Sequence, residues 1–144
     1  MKKFKYRADK LLRVYEIDRD KEKKKLVSMQ KEVAKMKQKI NENNTKIKNA
    51  FEQISSDKIS IEEKKEMPNH INFLKMKNQG LEDQLKEALK SHQIQMKTLL
   101  EAQKKVKSLE QHKEKKSSEY KKEVSKKEER TLSDLNSRKR KLNP

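Results

Sequence analysis

Cysteine is absent from this chain, which removes disulfides, thiol catalysis and cysteine-held metals from consideration. Tryptophan is absent too, glycine occurs once and proline twice among 144 residues. Hydrophobic residues make up only 30% against 44% charged, too little apolar material for a globular core. Such figures suit either a disordered chain or a long helix and coiled coil, and periodicity decides between them. No stretch approaches the roughly 20 apolar residues needed to cross a bilayer. The opening MKKFKYRADKLL has early lysines but no apolar stretch behind them, so a secretory signal is not expected and a cytoplasmic protein is. What the chain has in abundance is positive charge. Lys and Arg outnumber Asp and Glu by 40 to 23, a net +17. That keeps a protein soluble and draws it to anionic surfaces: acidic proteins, lipid headgroups or nucleic acid.

Periodicity favours the coiled coil. Steps of seven from Leu26 reach Val33, Ile40, Ile47, Ile54 and Ile61, a run of branched aliphatics at one heptad position. The companion positions Met29, Met36, Asn43 and Ala50 are more dilute. Upstream the seam reads Phe4, Ala8, Leu11, Tyr15. An eleven-residue step from Tyr15 to Leu26, with Asp18 and Glu22 between, is expected to relax the supercoil. Leu12, Val14 and Ile17 widen the apolar face there. Downstream a second seam runs Ile71, Asn78, Leu85, His92, Leu99, Val106, Lys113, Tyr120. Its companions include Leu74, Leu81, Ala88, Ala102 and Leu109. A looser patch follows at Val124, Leu132, Leu135 and Leu142.

The stretch Ser55-Ser56-Asp57-Lys58 interrupts this pattern with turn-favouring residues. Behind it, Ser60-Ile61-Glu62-Glu63 is a capping-box pattern for a new helix. Helix one is therefore expected over about 3–54, the turn over about 55–59 and helix two over about 60–138. Pro68 either kinks helix two or delays its regular start to Asn69. A short connection between long helices makes them antiparallel neighbours. Folding near residue 57 would set Ile40 against Leu74, Val33 near Leu81, Leu26 near Ala88 and Phe4 near Leu109 or Glu110. The fold class expected is all-α: one long antiparallel two-helix coiled-coil hairpin, residues 1–144 as a single domain. The C-terminal helix end from about Lys113 to Pro144 would overhang without a partner. A hairpin that fills its own seam points to a monomer when isolated.

Chemistry finds little support. His70, His92 and His112 are too far apart for a metal spacing. The carboxylates sit among lysines at helical spacing, as solvated faces do. No glycine-rich loop cradles a phosphate; Gly80 stands alone. No enzyme activity, cofactor or metal is expected. Six aromatics make no stacking platform for nucleic acid. The basic run Arg138–Lys141 is weakly specific, so binding to nucleic acid or anionic membranes is the second reading. Exposed apolar residues beyond the seam should mark docking places: Phe4, Leu12 and Ile17; Tyr120, Leu132 and Leu135; and Phe51, Ile71 and Phe73 around the turn.

Phe4, Tyr6, Leu11, Leu12, Arg13 and Glu16 make an N-terminal pattern of aromatic, paired leucine and charge, and Asn69, His70, Phe73 and Leu74 make a second element early in helix two. In both elements the chain resembles the FliJ family of flagellar export proteins. The resemblance covers essentially the whole chain. It implies a stalk-like two-helix coiled coil that inserts into the ring of the flagellar type III export ATPase, a hexamer. It also implies contact with the inner-membrane export gate and with export chaperones, in the cytoplasm at the flagellar base. The gate contact would fall at or near Ile40, Ile47, Phe51, Phe73 and Leu74. Lys77, where the family often has Leu, is a departure, and Gly80 takes the place of a small residue. The ATPase contact would fall on Phe4, Tyr6, Leu11, Leu12, Arg13 and Ile17, with Tyr120, Leu132 and Leu135.

Overall fold

The computed structural model describes residues 3–142, without the side chain of Leu142. Met1, Lys2, Asn143 and Pro144, which the expected single domain included, lie outside the described residues, as does the apolar side chain expected at Leu142. The chain is an all-α hairpin of two long helices, α1 (Asp9–Ile54) and α2 (Ile61–Leu142).

Helix α1 starts at Asp9, not near residue 3. The Asp9 N–H donates to the Tyr6 carbonyl at 3.2 Å and closes a turn. The Asp9 carboxylate then stands in the first helical turn, where the free N–H groups favour a negative charge. At the other end the Ser55 N–H and hydroxyl both donate to the Phe51 carbonyl. The Ser56 N–H donates to Gln53, and the Ser56 hydroxyl accepts from the Lys58 N–H. Serine side chains thus close the connection. Among the described residues none takes a positive φ. Ser60 caps α2: its Oγ accepts from the Glu63 N–H at 3.2 Å and its carbonyl from the Lys64 N–H at 3.0 Å. Pro68 lies inside α2, which is already helical from Ile61, so the late start at Asn69 is not taken. Lacking an N–H, Pro68 offers no helical donor to the Lys64 carbonyl.

Contacts divide the chain into two compact units. The turn unit is Lys21–Leu99. Here Leu26, Val33, Ala50, Ile71, Leu74 and Leu99 are buried, as are two polar residues, Asn78 and Gln95. Met29, Met36, Ile40, Asn43 and Ile47 of α1 are half-buried, and so are Leu81, Leu85, Ala88 and His92 of α2. That is the a/d pattern of a coiled coil on both strands. Asn78 donates its amide to Asn44 Oδ1 at 2.8 Å. Gln95 donates to the Glu22 carbonyl at 3.0 Å and to the Glu22 carboxylate. These pairs set the register. Asn44 meets Asn78, whereas a fold at residue 57 would bring it near His70. The connection runs to Ser60 before α2 starts, which moves the pivot beyond Asp57.

The terminal unit is Met1–Asp20 with Leu100–Pro144. Its core holds Tyr6, Leu12 and Val106, the last only 2% exposed. Leu12, not Leu11, enters the seam: Leu11 is 44% exposed and Leu12 5%. With Leu12, Tyr15, Arg19, Glu22 and Leu26 all buried or half-buried, α1 keeps the alternation of three- and four-residue steps. The expected eleven-residue relaxation is therefore absent; Arg19 and Glu22 fill the heptad places with polar side chains. The Tyr6 hydroxyl is bonded to His112 Nδ1 at 2.6 Å. Asp9 pairs with Lys113 at 2.8 Å, and the Phe4 and Tyr120 rings lie 5.6 Å apart. Lys113 is thus partnered, and the unpaired stretch begins later than expected. Among the described residues Val124 is the last half-buried one, and 125–141 are exposed throughout. The reason is geometric. Residues 3–8 are not helical, and an extended residue advances about 3.3 Å against 1.5 Å in a helix.

Candidate docking surfaces

Two sets of side chains were expected to meet partners. In the turn unit, Leu74 is 4% exposed and belongs to the seam, with Ile40 and Ile47 half-buried along it. Ile71, expected to dock, is 3% exposed and also lies in the core. Phe51 and Phe73 differ: each is about half exposed. A lysine covers each ring, Lys75 over Phe51 at 5.6 Å and Lys77 over Phe73 at 4.8 Å, within cation–π range. Phe73 and Lys75 are two residues apart on α2, about 200° round the helix at 3.6 residues per turn. Phe51, packed on Lys75, therefore lies on the flank of the hairpin away from Phe73. The structure does not bring the two phenylalanines together.

Each flank carries an open groove. One is lined by Asn44, Ile47, Lys48, Phe51, Glu52 and Ser55. The other is lined by Lys39, Glu42, Asn43, Lys77, Gly80, Leu81 and Gln84, and Lys77 joins it to the Phe73 ring.

In the terminal unit, Phe4, Tyr6 and Arg13 share one groove with Lys5, Arg7, Asp9, Lys10 and Lys113. Five cations and one carboxylate give it a positive field. The hydrogen bond from Lys113 holds the Asp9 carboxyl below its ordinary value. Leu12 is core, while Leu11, Val14 and Ile17 stand exposed on α1. Tyr120 contacts Phe4. Leu132 and Leu135 sit on the exposed final stretch of α2, at 61% and 49% exposure.

Heptad stepping placed Asn78 on the second seam but missed its partner Asn44, and it missed the Glu22–Gln95 pair. Gln95 falls on the heptad position between Ala88 and Ala102, where its spacing marks it but its polarity hides it. The Tyr6–His112 bond leaves no sequence signal.

Among the described residues no cluster of three or more His, Asp or Glu is placed to hold a metal. Among the described residues no helix is long and apolar enough to cross a membrane.

No curated protein and no solved structure matches the chain. The sequence model of one family, the flagellar FliJ protein, matches residues 4–141. With a two-helix hairpin matched over nearly its full length, the chain belongs to the flagellar FliJ family, whose members are non-enzymatic components of flagellar export.

Proposed function

We propose that this chain is an adaptor that links the export ATPase to the export gate, with export chaperones as further partners. The family match over residues 4–141 carries the reading. The ATPase would meet the terminal unit through Phe4, Tyr6, Leu11, Arg13 and Ile17, with Tyr120, Leu132 and Leu135 on α2. Leu12, being core, would hold that surface in place without touching the partner. The positive groove beside Phe4 and Arg13 supports an acidic partner surface. The gate would meet the turn unit on the Phe73 flank. Ile40, Ile47 and Leu74 would stiffen that flank from within the seam, and Phe51 would serve the other side.

The protein would work in the cytoplasm at the flagellar base, against the inner membrane. In this reading the hairpin contributes position rather than chemistry. Mixing it with its cognate export ATPase should raise ATP hydrolysis, while the chain alone hydrolyses none. Unchanged hydrolysis at every molar ratio would overturn the ATPase assignment. For the gate, Phe73→Ala should weaken binding roughly ten-fold, about 1.4 kcal/mol, with helix content by circular dichroism unchanged.

The net charge of +17 and the exposed run Arg138–Lys141 favour one second reading, adhesion to nucleic acid or anionic lipid. Such binding should vanish near physiological salt if it is only counterion release. Survival there with sequence or shape preference would make it the primary role.

A further inference from the structure

Tyr6 is held where a partner cannot reach it. It is 9% exposed, and its hydroxyl is bonded to His112 Nδ1 at 2.6 Å. The segment that carries it, residues 3–8, is not helical, and nothing local requires that. Lys3-Phe4-Lys5-Tyr6-Arg7-Ala8 has no proline and no glycine, and Lys, Arg and Ala are among the better helix formers. The carbonyl of Ala8 accepts the first helical bond, from the Leu12 N–H at 2.9 Å, and alanine is among the weakest N-caps. Contacts with α2 hold the segment in place instead: Tyr6 on His112, the Phe4 ring 5.6 Å from Tyr120, and Asp9 paired with Lys113 at 2.8 Å.

The same residues have a second conformation open to them. Continuing α1 back by one heptad from Leu12 and Tyr15 puts Lys5 and Ala8 on the seam and turns Phe4 and Tyr6 out of it. That seam is weak, because α2 already has Lys113 at this level, so the free chain keeps the strap. We infer that residues 3–8 are a latch with two states. As a strap they bury Tyr6 against α2. As a helical extension of α1 they release Phe4 and Tyr6 to the ATPase. The inference rests on the ATPase reading and adds regulation to it: affinity is reduced by the fraction of chains that are strapped. The strap enters α1 through a turn in which the Asp9 N–H donates to the Tyr6 carbonyl. With no positive φ and no cis peptide the turn is type I, and Arg7 holds the second place, the one that suits proline.

The test uses the full chain, with two readouts: Cα chemical shifts of residues 4–8 by NMR, which separate strap from helix, and calorimetry with the cognate export ATPase. Lys5→Leu gives the helical state an apolar seam residue, and His112→Ala removes the partner of Tyr6. Both should move the shifts toward helix and tighten ATPase binding roughly three-fold or more. Arg7→Pro fits the turn and forbids a helix through Tyr6. It should keep the strap shifts and weaken binding beyond Arg7→Gln, which loses the same charge without the lock. Shifts that stay non-helical in both Lys5→Leu and His112→Ala mean a fixed strap and overturn the latch. Shifts that turn helical while affinity stays level or falls overturn the claim that the strap withholds the binding surface. No binding by the wild type or any variant overturns the ATPase reading, and the shifts then decide the two states on their own.

Discussion

Asn78 is buried in an apolar seam with only half its amide satisfied. Its Nδ2 donates to Asn44, while its Oδ1 is buried with no protein partner. Asn44 is exposed and can return to water. Asn78→Leu removes a half-satisfied polar group without orphaning another, so it should stabilise the fold by about 1 kcal/mol. A higher urea midpoint is the readout. Val106 is the opposite case. At 2% exposure its truncation to Ala should cost about 2 kcal/mol, while Ile94→Ala, at 67% exposure, should cost almost nothing. Asp9 brings pH into play. Its folded pKa is lowered, first by the hydrogen bond from Lys113. A group depressed in the folded state contributes stability above its unfolded pKa and loses it as pH falls through the folded value. Asp9→Asn should therefore lower the thermal midpoint slightly at neutral pH. The gap between the two proteins should close below the ordinary carboxylate range. Both partners are over 40% exposed, so the effect is small and salt should shrink it.

At the scale of the element, the helix ends and the one proline set what can be changed. Ser60→Ala removes the oxygen that accepts from Glu63 and should cost about 1 kcal/mol. Pro68→Ala returns a donor to the Lys64 carbonyl and should stabilise α2 by roughly 1–3 kcal/mol, again read by urea denaturation. Both helices could be read in outline from heptad steps and from the serine-rich interruption, because spacing and cap chemistry are local. The choice between Leu11 and Leu12 could not. The two are adjacent and equally apolar, and the seam search followed Leu11. Leu12 won because Arg19 and Glu22 keep the heptad phase with polar residues, which a search for apolar steps passes over. Gln95 stayed hidden for the same reason.

For the whole molecule, charge governs encounter. A chain of +17 should associate with acidic partners fastest at low salt, and the rate should fall as the Debye length shrinks from about 10 Å at 0.1 M to about 3 Å at 1 M. Stopped-flow binding to the ATPase proposed as its partner, at graded salt, would measure it. A rate indifferent to salt would mean that apolar contact, not charge, brings the two together. Of the residues expected to dock, exposure was legible for Phe73, Ile17 and Leu132, which lie off the heptad. It was misjudged for Leu12 and Ile71, which the fold spends on its core.

By itself the sequence determined an all-α hairpin with two seams, a serine-capped turn and a strongly basic surface. Each of these follows from local spacing, local hydrogen bonding or composition. Tertiary structure decided the register that joins Asn44 to Asn78, the flank each phenylalanine occupies and the point beyond Val124 where α2 runs on alone. Those depend on the length of the connection and on the advance of a non-helical N-terminal segment, distances that no heptad count contains.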